Sequence, residues 1–156
     1  MGVSTDAIIF YGIPGAEDGT EIEGLYPYEG LTDEQESLME RLKNDCDSTL
    51  LELYGFMEKW RSDFKGNERD EYYERRKKVQ DQILCDIGFH CSDSYSMPYI
   101  YYKGAGAYAS RGYTVDISGM ILTMPNPEWD IEIKSFCEKI KVNYTQPKWY
   151  LVSWWG

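Results

Sequence analysis

The chain has 156 residues, enough for one domain, 1–156, with a real core, and at 42% hydrophobic and 15% aromatic it is too apolar for a disordered protein. A net charge of −11 argues against nucleic acid, because Lys and Arg provide most of the affinity for phosphate, and it suits a basic partner surface. No apolar run approaches the roughly 20 residues of a membrane helix, and Met1 to Asp6 form no secretory signal, so a cytoplasmic protein without membrane contact is expected.

Ala7 to Gly12 is a short apolar run closed by Gly12 and Pro14, which predicts a buried strand. Residues 13–31, rich in Gly and Pro, read as a long loop. The excess charge starts here: residues 1–31 hold Asp6, Glu17, Asp18, Glu21, Glu23 and Glu29 and no base, whereas residues 87–156 are balanced. Loops of that length inside a compact domain are usually functional, so Glu17, Asp18, Glu21 and Glu23 are candidate partner contacts.

Thr32 with Gln35 fits a capping box, and Asp33 and Glu34 suit the positive end of the helix dipole. Leu38, Leu42, Cys46, Leu50, Leu53, Met57, Trp60 and Phe64 follow at gaps of three or four, which predicts one long helix that Gly55 weakens without breaking. Gly66-Asn67 predicts a stop, with Asn67 capping a second helix that carries Tyr72, Arg76, Val79, Ile83 and Leu84 and ends near Asp86. The expectation is an antiparallel helical hairpin over about 32–86. From Ile87 the period changes to strand-like, with a turn at Ser92 to Pro98, a strand at Tyr99 to Lys103, a flexible turn at Gly104 to Gly106, and extended pieces at Tyr108 to Ser110 and Tyr113 to Ile117. Asn126-Pro127-Glu128 opens a helix over about 127–141 whose apolar face is Trp129, Ile133, Phe136, Cys137 and Ile140. Trp149 to Trp155 reads as a final strand. The predicted fold class is α+β, a small, mostly antiparallel sheet with an inserted helical hairpin and one further helix.

His90, the sole histidine, stands beside Cys91, but on a strand neighbouring side chains point to opposite faces, so they do not form a nucleophile–base pair. Cys46, Cys85, Cys91 and Cys137 show no Cys-x-x-Cys spacing and read as reduced thiols, so neither metal nor cofactor is expected. Ser4 to Asp6 before the first strand, Ser92 and Asp93 after His90, and Arg111-Gly112 are polar residues at the ends of elements. Asp6, His90, Ser92, Asp93 and Arg111 are therefore candidates for binding an anion or a small ligand, with capping and turn formation as the competing reading.

The opening Ser4 to Gly12 (STDAIIFYG), Phe89-His-Cys-Ser with Tyr95-Ser-Met-Pro-Tyr99, Arg111-Gly-Tyr113, Pro127-Glu-Trp129 and the closing Trp149 to Gly156 (WYLVSWWG) resemble an uncharacterised family of small phage- and prophage-encoded proteins. The chain departs from that pattern at Ser96, where the family has proline, and at Ser110, where it has tryptophan. The resemblance implies a phage context, in which small acidic proteins bind and block host machinery. The first expectation is thus a non-enzymatic protein that binds and inhibits a host protein with a basic surface, an anti-defence or host-takeover factor acting in the host cytoplasm. A small-ligand or nucleotide-signal binder is the second reading, and a small enzyme using His90 is the third.

Overall fold

The structure, a computed structural model, describes residues 5–14, 16–17, 20–21, 32–92, 95–121 and 125–155; at 5, 16, 17, 20, 21, 89–92, 95–97, 121, 154 and 155 it describes the backbone alone. Strand β1 (Thr5–Ile13) leads into a two-residue ribbon, β2 (Ala16–Glu17) with β3 (Thr20–Glu21), and then into helices α1 (Asp33–Asn44), α2 (Cys46–Leu53) and α3 (Asn67–Gln80). Strands β4 (Cys85–Ser92) and β5 (Tyr95–Ala109), the short α4 (Ser118–Ile121), α5 (Pro127–Ile140) and β6 (Lys148–Trp155) complete the order. The four long strands form one antiparallel sheet, β4-β5-β1-β6, so the fold is α+β with α1, α2 and α3 inserted between β1 and β4, and α4 and α5 between β5 and β6.

Strand alternation gives the sheet two different faces. Tyr11, Ile13, Ile87 and Ile100 point to one of them and join Leu38, Leu42, Leu50, Ile133, Phe136 and Ile140 in the main core. On the other face Phe10, fully buried, is flanked by the rings of Tyr99 at 4.5 Å and Tyr150 at 5.7 Å. The edge strands β4 and β6 come within 8 Å of each other, so the sheet is strongly coiled. Between Phe10, opposite Gly106, and Gly12, opposite Tyr101, two steps along β1 match five along β5. This bulge holds the glycines at 104 and 106, and β5 runs through it without a break.

Local signals account for the helix ends. Thr32 and Gln35 form the expected reciprocal capping box, and Asn126 accepts from the Glu128 amide with Pro127 in the first helical turn. The long stripe, however, is not one helix. Asp45 interrupts it as the N-cap of α2, accepting from the Ser48 amide at 3.1 Å. Gly55 then ends it: at φ +95 it lets the Phe56 amide reach the Leu51 carbonyl at 2.8 Å and its own amide reach that of Glu52 at 3.0 Å. That pair of bonds is a Schellman stop, which requires a left-handed residue and is easiest with glycine. Met57 and Trp60 therefore lie outside any helix.

Other boundaries also differ from expectation. Gly66, not Asn67, is the N-cap of α3, and the helix ends at Gln80 because β4 begins at Cys85. The predicted turn over Ser92 to Pro98 is strand on both sides, with Ser92 paired to Tyr95 and Phe89 to Pro98. Thr5 and Asp6 are inside β1 rather than before it, the loop over 13–31 includes β2 and β3, and Tyr113 to Ile117 form no strand.

A Cβ at Gly12 would lie 1.9 Å from the Ile100 carbonyl oxygen, a backbone atom that cannot step aside. Gly12→Ala should therefore cost about 3 kcal/mol or more in urea unfolding. Gly119→Ala, where nothing lies within 4 Å, should be neutral or slightly stabilising. Equal effects of the two changes would rule out the close packing of β1 against β5.

Candidate functional site

Of the residues expected to bind a ligand, Asp6 and the Arg111 backbone meet. The Arg111 amide donates to Asp6 Oδ1 at 3.2 Å, next to a turn in which the Tyr113 amide donates to the Ser110 carbonyl at 3.0 Å. Asp6 thus acts here on the backbone that leaves β5, which is turn chemistry. His90 and Ser92 pair with Met97 and Tyr95 near the start of β5, whereas Ala7, next to Asp6, pairs with Ala109 at its end. Asp93 lies outside the described residues, and the side chains of His90, Ser92 and Cys91 are not among those described. Glu17 and Glu21 fall in β2 and β3 by backbone, while Asp18 and Glu23 lie outside the described residues.

Three thiols are poor nucleophiles for a physical reason. Burial pushes Cys46, Cys85 and Cys137 each up to about 12, so they stay protonated at neutral pH. Among the described residues no group of three or more His, Cys, Asp or Glu side chains is placed to hold a metal ion, and no helix is long and apolar enough to cross a membrane. Asp86 on β4 is a half-buried acid. Burial raises its carboxyl above the ordinary aspartate value, and the Ile87 amide at 2.9 Å and Lys103 at 3.9 Å oppose that shift. Tyr101, opposite it, is pushed up to about 12 by burial first and then by the Asp86 charge.

The most open chemistry lies on the helical insert. After the Gly55 stop the chain folds back under α3, and Tyr72 becomes the hub of an aromatic group. Its ring centroid lies 5.5 Å from Phe56, 5.3 Å from Trp60 and 5.6 Å from Phe64. Such pairs contribute roughly 0.5–1.5 kcal/mol each beyond area burial. Arg75 on α3 clamps Glu58 with two bonds, at 2.9 and 3.0 Å, and fixes the returning segment. What the frame leaves outside is apolar: Met57 is 71% exposed, Tyr73 48% and Trp60 47%. Beside them a cleft of about 280 Å³ is walled by Leu51, Phe56, Met57, Trp60, Tyr72 and Arg76. A second cleft of about 290 Å³, polar, lies between α1 and α2 among Glu40, Arg41, Asn44, Asp45 and Ser48.

Sequence reasoning placed Met57, Trp60 and Phe64 on one face of a continuous helix and so missed this surface. The one signal that could have exposed it was Gly55 read as a helix stop, before Met57, Trp60 and Phe64, the last three positions of the apolar spacing. No protein-family model, curated protein or solved structure matches the chain.

Two outcomes test these assignments. Asp6→Ala should lower stability in urea by about 1 kcal/mol while Asp6→Asn, which keeps the acceptor, should not; equal effects would sink the turn role. The second concerns pH. Because burial raises the folded-state value of Asp86, the folded protein binds that proton more tightly than the unfolded chain. The stability this confers is complete below the ordinary aspartate value and is lost as pH rises through the raised one. Asp86→Asn should remove that decline. Reading the difference between the two proteins excludes Glu34, Asp45 and Asp63, whose partners hold them low and whose trend is opposite.

Proposed function

We propose that the chain is a phage-encoded, non-enzymatic binding protein that engages and inhibits a host protein in the host cytoplasm. The observation that carries this reading is the exposure of Met57, Trp60 and Tyr73 on a frame held rigid by Tyr72, Gly55 and the Arg75–Glu58 clamp. An apolar aromatic patch rimmed by charge is the usual form of a protein contact, and Trp, Tyr and Met are enriched in such surfaces. The charge of −11 supports a partner with a basic surface, drawn in by long-range attraction. The phage context is supported by the sequence resemblance alone.

Affinity capture from a bacterial lysate, with mass spectrometry of the proteins retained, tests the proposal. Proteins held by the wild type should be lost with Met57→Glu, since an exposed side chain can be changed without unfolding the chain. The same set retained by both forms would remove the patch from the binding surface. Neutralising Glu17, Asp18, Glu21 and Glu23 together should weaken capture and flatten its dependence on salt.

A further inference from the structure

The geometry points to a groove on the insert that takes a short peptide segment of the partner, with one large apolar side chain between Phe56, Trp60 and Tyr72 and a Lys or Arg about four residues away near Glu40 and Asp45. This rests on the reading of the chain as a binding protein and names the chemistry of the segment it binds.

The two clefts share Ser48 and Glu52, one turn apart on α2, so they adjoin along that helix. The polar cleft lies at the beginning of α2 and the apolar one at its end. The eight residues of α2 rise about 12 Å at roughly 1.5 Å each, which an extended chain covers in about four residues at roughly 3.3 Å each. A single short segment therefore reaches both clefts.

Charge decides which side chain belongs in the polar half. Arg41 is already paired with Glu52. Glu40 has no ion-pair partner among the described residues, whereas the Asp45 carboxyl, held below the usual aspartate range chiefly by its bonds with Ser48, also feels the Arg76 charge, so the uncompensated charge is that of Glu40. The open charge in that half is negative and suits a cation. In the other half the Glu58 carboxylate is occupied by Arg75, while Lys59 and Arg76 line the cleft. These two would repel a second basic residue there, which orients the segment with its basic end toward Glu40. Met57 and the exposed edge of Trp60 give the apolar half adaptable walls, since methionine repacks around varied side chains.

The test is an amide NMR titration of the full chain with three synthetic peptides, each a phenylalanine and a second residue separated by three alanines. The second residue is Arg, Ala or Glu. The Arg peptide should shift the amides of Glu40, Ser48 and Trp60 and bind about threefold more tightly than the Ala peptide, the size expected of an exposed ion pair. The Glu peptide should bind more weakly than the Ala peptide. Glu40→Gln should shrink the preference for Arg over Ala, and Met57→Ala should weaken all three peptides about fivefold or more. Both residues are exposed, and the unperturbed amide spectrum of each variant confirms that it is folded. If all three peptides bind the apolar half equally, or the Glu peptide binds best, the basic-residue assignment is overturned while the apolar patch stands. If none shifts a groove amide, the groove falls and so does the role of this patch in partner binding.

Discussion

Between Phe10 and Gly12 the central strand β1 changes register against β5, and the position of everything above and below the sheet follows from that slip. Gly12 has no room for a side chain against the Ile100 carbonyl, so the two backbones pass closer than any other residue would allow. Opposite the slip, Tyr11 turns toward the helices. Its hydroxyl donates to Asp130 of α5 at 2.7 Å, and its ring meets Trp129 at 5.7 Å and Trp149 at 5.5 Å. Gln146 donates to the other oxygen of Asp130 at 2.9 Å, so one carboxylate ties β1, α5 and the approach to β6 together. Burial first, and then the bond to Asp130, raises the Tyr11 hydroxyl well above the ordinary tyrosine value and keeps it a donor. Bulges bend strands and re-aim side chains, and here the bend both coils the sheet around Phe10 and docks α5 on the opposite face.

The insert obeys a different constraint. Its first two helices contribute Leu38, Leu42 and Leu50 to the main core, and Phe56 and Tyr72 belong to the same core, with the segment after Gly55 gathered around Tyr72 of α3. The far half of the insert is thus divided between core residues, Phe56 and Tyr72, and outer side chains fastened to them by ring contacts and one ion-pair clamp. That division explains how large apolar side chains come to be exposed in an ordered segment. The frame fixes Trp60 on one side through Tyr72 and leaves its other side to solvent, so little side-chain freedom remains to be lost on contact.

Signals confined to neighbouring residues were legible in the sequence, and those that depend on distant residues were not. The capping box at Thr32, the Asn126-Pro127 start of α5 and the apolar faces of α1 and α5 needed only a few adjacent positions. The break at Asp45 was hidden because three- and four-residue spacing continues across it: Leu42, Cys46 and Leu50 stay on the core side of both helices. Gly104 and Gly106 carry the same turn signal whether the chain reverses or bulges, and only pairing with β1 decides for the bulge. The exposed apolar patch on the insert was illegible for the same reason. Nothing near Trp60 in sequence names Tyr72, which arrives from the next helix and decides that the indole is half buried rather than wholly so. For Asp6 and Arg111 the sequence left ligand binding and turn chemistry both open, and the contact through the Arg111 amide is turn chemistry.

Charge and apolar surface divide the work of recognition along physical lines. The net charge of −11 acts over a Debye length of about 10 Å and is screened by salt, so it bears on the rate of approach of any charged surface and on how strongly like-charged copies are kept apart. It carries little information about shape, because exposed ion pairs contribute roughly 0–1 kcal/mol each. The cleft beside Trp60 acts only on contact, where excluded water and close packing set the rate of release. The same logic explains why the frame matters more than any one exposed residue. Gly55 places Met57 and Trp60 beside Tyr72, and without that stop the apolar spacing would continue as a helix and bury or scatter them.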